Sequence, residues 1–156
     1  MLVQGLIHQS FSAFSSLVLL VKKANNSWWF YVDYRALNAI IVTDAFPIPI
    51  VDELLDELHG AKFFTMLELC LGYHQVHMQP NDINKTVFQT HGNLYEFLVM
   101  SFRLCNASMT FQALMNNMLR SYVHHFVHVF FDDILIYSAS WAYHLHHLWT
   151  IFAMLQ

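Results

Sequence analysis

Charge is what this 156-residue sequence has least of: 12% of its residues are Asp, Glu, Lys or Arg, against about a quarter in an ordinary soluble domain. Lys and Arg number 7 against 11 acids, the formal charge is −4, and no Lys or Arg follows Arg120. The basic footprint of a protein that grips a duplex through its phosphates is missing. The 11 histidines could supply positive charge only below about pH 6.5. Cysteine is nearly absent, which excludes a disulfide scaffold. Cys70 and Cys105 read as small buried thiols in a reducing compartment. With 4 Gly and 3 Pro, collagen-like and linker-like character is excluded too. No apolar run approaches the roughly 20 residues that span a bilayer. The longest, Phe11 to Val21, is broken by serines and ends in Lys22-Lys23. That is the reverse of a signal peptide's charge order. The apolar composition keeps a signal-anchor reading open.

What is present is a large apolar set, 56% of residues, with 16% aromatic. That composition excludes disorder and suits one domain with a single sizeable core. Periodicity then gives the elements. Leu17 to Lys22 and Trp28 to Asp33 are β-prone runs around Ala24-Asn25-Asn26-Ser27, a hairpin signal. After Pro47 and Pro49, the apolar Ile50, Leu54, Leu55 and Leu58 fall at helical spacing. Asp52 and Glu53 lie in the first turn and Gly60 closes it. Strands are expected at Phe63 to Leu69, Lys85 to Thr90 and Tyr95 to Val99. A helix should follow Asn106, with Phe111, Leu114, Met115, Met118 and Tyr122 on its inner side. Ser140 should cap a last helix with Leu145, Leu148, Ile151, Phe152 and Leu155 inward. The order predicts an antiparallel sheet with helices on one face, an α+β fold.

The sharpest local pattern is Asp132-Asp133 between two apolar runs, Val127 to Phe131 and Ile134 to Tyr137. It reads as a tight hairpin between central strands with acids at its tip. Glu68 is the one acid in its own apolar stretch, near the end of the strand from Phe63. If that strand lies beside the hairpin, three carboxylates converge. Two such charges about 5 Å apart repel by about 3 kcal/mol at an effective dielectric of 20. The cluster would then take up a proton or recruit a hard divalent cation, Mg²⁺ or Mn²⁺ rather than zinc. Scattered solvated acids are the alternative that spacing alone leaves open. The histidines at 124, 125, 128, 144, 146 and 147 invite a second metal reading. His124 and His128, four apart, would suit zinc on a helix.

Four motifs occur in order: Val32-Asp33-Tyr34-Arg35-Ala36-Leu37-Asn38, Phe46-Pro47-Ile48-Pro49, Gly72-Tyr73-His74-Gln75, and Phe130-Phe131-Asp132-Asp133-Ile134-Leu135-Ile136-Tyr137-Ser138. Together they resemble the reverse transcriptase domain of gypsy-type LTR retrotransposon Pol polyproteins. The likeness runs from about Gly5 to the last helix. It implies a right-hand polymerase palm, ferredoxin-like with helices on one face, plus partial fingers, with the thumb absent. The whole chain would be one domain fragment, fingers about 1–60 and 75–105 and palm about 61–74 and 106–156. The implied activity is RNA-directed DNA synthesis, nucleotidyl transfer to a primer 3′-hydroxyl on an RNA or DNA template. The implied partners are template, primer and dNTP, with no membrane, inside a larger polyprotein carrying RNase H and integrase. The implied setting is intracellular.

Residue by residue, the resemblance implies that Glu68, Asp132 and Asp133 are catalytic and hold two Mg²⁺ (or Mn²⁺) ions with the Leu69 carbonyl. Lys23, Tyr73 and Phe102 would border the nucleotide, Lys23 near its triphosphate and Tyr73 under its sugar. It also places position 128 on a strand, which breaks the helical geometry of the histidine pair.

Several residues depart from the family pattern. Position 68 is Glu where Asp is usual, and the added methylene extends the carboxylate by roughly 1.5 Å where a positioned site tolerates about 0.5 Å. Trp29 stands for a triphosphate-reaching Arg, and Arg103 for a glycine beside the nucleotide, where it would crowd the backbone. Leu17, Ser101 and Ser108 stand for prolines, and Cys70-Leu71 for Arg-Ser. Most of these can be written as single C-to-T or G-to-A transitions, the spectrum of a silenced, decaying element. The expectation is an impaired or inactive enzyme. The alternative is a non-catalytic transposon-derived protein or interaction module on the same fold.

Overall fold

A computed structural model describes residues 1–24, 26–44 and 51–156, with the side chains of 51–53 left out. The Phe46-Pro47-Ile48-Pro49 motif, Asn25, Ile50 and the side chains of Asp52 and Glu53 lie outside the described residues. The chain forms two compact units, Met1–Thr43 with Tyr73–Ala107, and Asp44–Gly72 with Ser108–Gln156.

The first unit holds two small sheets. Strands β2 (Val18–Lys22) and β3 (Trp28–Val32) pair antiparallel, Val18 opposite Val32 and Lys22 opposite Trp28. Asn26, at φ 63°, reverses the chain between them; its short polar side chain suits the left-handed region. Strand β1 (Ile7–Gln9) pairs with β6 (Leu94–Phe97), which pairs in turn with β5 (Phe88–Gln89). A one-turn helix α1 (Arg35–Asn38) follows β3, and a one-turn α3 (Pro80–Ile83) precedes β5. The strand expected over 85–90 shrinks to two residues, because Asn84–Thr86 coils as a 3₁₀ turn. The Thr86 hydroxyl explains it: it donates to the Ile83 carbonyl at 2.7 Å and accepts the Phe97 N–H at 2.9 Å. The core is Val32, Tyr34, Phe88, Phe97 and Val99. The Tyr34 hydroxyl is satisfied there by the Thr86 carbonyl at 2.7 Å, and burial pushes its pKa upward.

The second unit is a three-stranded antiparallel sheet in the order β4-β8-β7, where β4 is Phe63–Glu68, β7 is Val127–Phe130 and β8 is Asp133–Ser138. A short helix α2 (Val51–Glu57) precedes β4; α4 (Ala107–Met118) precedes β7, and α5 (Trp141–Met154) follows β8. This is the order expected from residue 61 onward. β8 is central as expected, whereas β7 is an edge strand. Side chains alternate along β4 with period two. Phe64, Met66 and Glu68 are exposed, and Phe63, Thr65 and Leu67 are half-buried.

Both helices turn their faces differently from the apolar pattern. On α4 the buried set is Ala107, Phe111, Gln112 and Met115, continued by Leu119, while Leu114 and Met118 are exposed. Gln112 bonds to the β7–β8 hairpin, which fixes the rotation of the helix. On α5 the buried residues are His144 and Ile151, and Leu145 and Phe152 are exposed. His144 is held between hydroxyls, Nε2 2.8 Å from Thr65 Oγ1 and Nδ1 3.0 Å from Ser138 Oγ. Two polar anchors thus override the apolar stripe, since a buried polar side chain must keep its partners. Ser140 caps α5 as expected, accepting the Tyr143 N–H at 3.4 Å. The thiols differ from expectation: Cys70 and Cys105 are free and exposed, Cys70 following the strand end and Cys105 preceding α4. Among the described residues, no helix is long and apolar enough to cross a membrane.

Candidate active site

The register of β4 on β8 decides where the acids go. Glu68 is directly opposite Asp133, and Phe130 of β7 is opposite Asp133 from the other side. Cross-strand partners share a face of the sheet, with Cβ atoms roughly 4.5–5.5 Å apart. Glu68 and Asp133 therefore stand side by side at one sheet end, on the face that also carries Phe64 and Met66. Asp132 sits in the two-residue loop between Phe130 and Asp133. That loop has positive φ at its first position alone, Phe131 at 55°. The Asp132 carbonyl accepts the Leu69 N–H at 2.9 Å, which ties the end of β4 to the hairpin tip.

A phenylalanine in the left-handed region is costly, and something must hold it. Gln112, 1% exposed, does so: its Oε1 accepts the Phe131 N–H at 2.6 Å and its Nε2 donates to the Val129 carbonyl at 2.9 Å. Gln112 was not singled out from sequence, although an amide between Phe111 and Met115 on the apolar side of the helix was the available signal. On the other flank, Gly72 lets the turn after β4 pack closely. A Cβ there would lie 2.7 Å from the Phe111 ring. The Gly72 N–H donates to the Leu69 carbonyl at 3.0 Å, so that carbonyl keeps one lone pair.

Among the described residues, none of Glu68, Asp132 and Asp133 is in an ion pair. Glu68 is exposed and the two aspartates are half-buried. An all-oxygen donor set with no cationic partner suits a hard divalent cation. The histidines behave otherwise. His128 lies on β7, as the resemblance implies, and His144 and His147 are spent on Ser138 and its neighbours. Among the described residues, the group whose ligand atoms close into a possible metal cluster is Glu57, His124 and His128. Glu57 had no role in the sequence reading.

Lys23, Tyr73 and Phe102 belong to the first unit. Tyr73 is half-buried in the 3₁₀ turn Gly72–Gln75. The Lys23 ammonium lies 5.2 Å from the centre of the Trp29 ring. Arg103 lies against aromatic rings. Its guanidinium lies over Tyr31 at 3.8 Å, Phe102 at 4.7 Å and Trp29 at 5.2 Å. Two departures from the family pattern, Trp29 and Arg103, thus touch each other.

Comparison with known proteins agrees with this architecture. The family described as "Reverse transcriptase (RNA-dependent DNA polymerase)" matches residues 21–156. The chain is 41% identical to the Retrovirus-related Pol polyprotein from transposon 297 of Drosophila melanogaster, over 99% of this chain and 15% of that protein. It is 46% identical to an RNA-directed DNA polymerase homolog of Oenothera berteroana, over 75% of this chain and 84% of that one. Its fold matches the crystal structure of prototype foamy virus protease-reverse transcriptase with TM-score 0.88 and 25% identity, covering 99% of this chain and 20% of that one. The chain spans about 15% of the length of the transposon polyproteins it matches. It belongs to the reverse transcriptase family.

Proposed function

We propose that this reverse transcriptase domain carries, at the open end of the β4-β8-β7 sheet, a site for nucleotidyl transfer to a primer 3′-hydroxyl, and that the site is impaired. The observation that supports it is the pairing of Glu68 with Asp133 beside the hairpin that presents Asp132. Glu68, Asp132 and Asp133 would hold two divalent cations, Mg²⁺ or Mn²⁺, with the Leu69 carbonyl as a further oxygen. Bound there, such ions supply charge neutralisation at the reacting phosphate. The chain's own task is positioning, since phosphoryl-type transfer needs alignment more than covalent help. Lys23, Tyr73 and Phe102 are assigned to the incoming dNTP, Lys23 at its triphosphate and Tyr73 under its sugar. Template and primer are RNA or DNA. The working division is fingers at about 1–60 and 75–105 and palm at about 61–74 and 106–156, within a larger polyprotein.

Impairment follows from Glu68. A carboxylate displaced by about 1 Å can cost about 100-fold in rate, and one added methylene displaces it by at least that much. Primer extension on an RNA template with Mn²⁺ tests the reading. Unmodified chain is expected to incorporate dNTP weakly or undetectably. Glu68→Asp should raise incorporation without restoring it fully, and Asp132→Asn in the Glu68→Asp background should abolish the gain. Incorporation that survives Asp132→Asn would remove the carboxylates from the chemistry. Robust incorporation by the unmodified chain would remove the impairment.

A further inference from the structure

We infer that Glu57, His124 and His128 form a zinc-type transition-metal site, separate from the carboxylate end of the sheet, that staples the end of α2 to the entry of β7. The three residues come from one compact unit, and one ligand atom of each lies within 4.8 Å of the other two. His124 Nδ1 is 2.8 Å from Glu57 Oε1, and His128 Nε2 is 3.4 Å from Glu57 Oε2. Bonds of about 2.1 Å to a tetrahedral ion put neighbouring ligand atoms about 3.4 Å apart. The His128–Glu57 separation equals that figure, and His124 Nδ1 would move outward from its 2.8 Å contact with Glu57 Oε1 to admit the ion.

A second observation points into the same space. The His128 side chain is only 6% exposed, yet its Nε2 has no hydrogen-bond partner, and neither has the buried Glu57 Oε2 that faces it. Two buried polar atoms left unpaired opposite each other call for an explanation, and a shared cation provides one. The supporting groups are in place. The His128 ring stacks on Tyr137 at 4.9 Å.

A strand at His128 would ordinarily separate it from His124. The chain turns instead at His124, φ 66°, whose N–H donates to the Val127 carbonyl at 3.3 Å. That turn brings the two rings to 6.3 Å between centres, so a reversal does what a helical turn would have done. The donor set is two imidazoles and one carboxylate, which favours zinc over magnesium. Three protein ligands leave a fourth position. The His124 side chain is 66% exposed, so water reaches it.

The test is titration of the whole chain with Co²⁺, read by its visible ligand-field bands, followed by displacement with Zn²⁺. One equivalent of four-coordinate Co²⁺ is expected. Zn²⁺ should displace it, and a large excess of Mg²⁺ should not. His124→Ala removes an exposed side chain at a position of φ 66°, where alanine is strained, so its fold is checked by circular dichroism; it and Glu57→Gln should each weaken binding at least tenfold. His146→Ala, an exposed control, should leave binding unchanged. Zn²⁺ should also raise the melting temperature of the unmodified chain but not of His124→Ala. Equal Co²⁺ affinity in His124→Ala and the unmodified chain, or displacement by Mg²⁺, would overturn the site. None of these readouts depends on polymerase activity.

Discussion

Gln112 holds Phe131 in the left-handed region of backbone space: its Oε1 accepts the Phe131 N–H at 2.6 Å while its Nε2 donates to the Val129 carbonyl at 2.9 Å. One buried amide therefore grips the β7 arm and the first loop residue of the hairpin that presents Asp132 and Asp133. It also sets which face of α4 meets the sheet.

Gln112→Leu keeps the volume and removes these bonds and the one that Nε2 makes to Asn116 Oδ1 at 3.0 Å, leaving the Val129 carbonyl and the Phe131 N–H unpaired beside a strained turn. A loss of about 2–4 kcal/mol is expected, read as a lower urea midpoint with an unchanged slope. A loss below about 0.5 kcal/mol would show that the hairpin keeps its shape without the clamp.

Gly72→Ala places a Cβ 2.7 Å from the Phe111 ring, a contact that the core must relieve by moving. Overpacking of this kind costs about 1–3 kcal/mol. If the contact is the cause, Phe111→Leu should lower the penalty, and the double-mutant cycle should show coupling of at least about 0.5 kcal/mol. Additive effects would place the cost elsewhere.

Arg103 and Trp29 can be tested in the same way. The guanidinium 5.2 Å from the indole predicts a coupling of about 0.5–1 kcal/mol between Trp29→Ala and Arg103→Ala. A coupling near zero would make the two departures independent accidents. Measured coupling would mean that one departure shelters the other.

Acid should destabilise the protein through one buried and two half-buried imidazoles. His74, His128 and His147 all have lowered pKa values, with burial the largest cause. For His147 the neighbouring His146 and His144 push the same way, against the Tyr137 backbone. A folded pKa below the unfolded value of about 6.5 means that the unfolded chain takes up protons first. The stabilisation is complete above that pH and is lost as pH falls through it toward the folded values. Melting temperature should therefore fall between about pH 7 and pH 5, and His147→Phe should flatten part of that fall. A flat profile over this range would contradict it.

Much of the architecture was legible in the sequence because it is written in short-range chemistry. A short apolar run from Phe63 marked β4, the apolar runs around Asp132-Asp133 marked the β7–β8 hairpin, and Ser140 marked the start of α5. The ordered motifs carried the family likeness, which the match over residues 21–156 bears out. Hydrophobic pattern alone could not set the rotation of α4 and α5, because their inner faces are fixed by Gln112 and His144 through partners far away in sequence. Nor could it pair Glu68 with Asp133, since strand register depends on which residues a distant segment lies against. The cluster of Glu57 with His124 and His128 is the extreme case. Its members become neighbours only when a turn at 124 and the docking of α2 act together, and no local spacing encodes that. Local chemistry chose the elements; the long-range pairing of buried polar groups chose how they face one another.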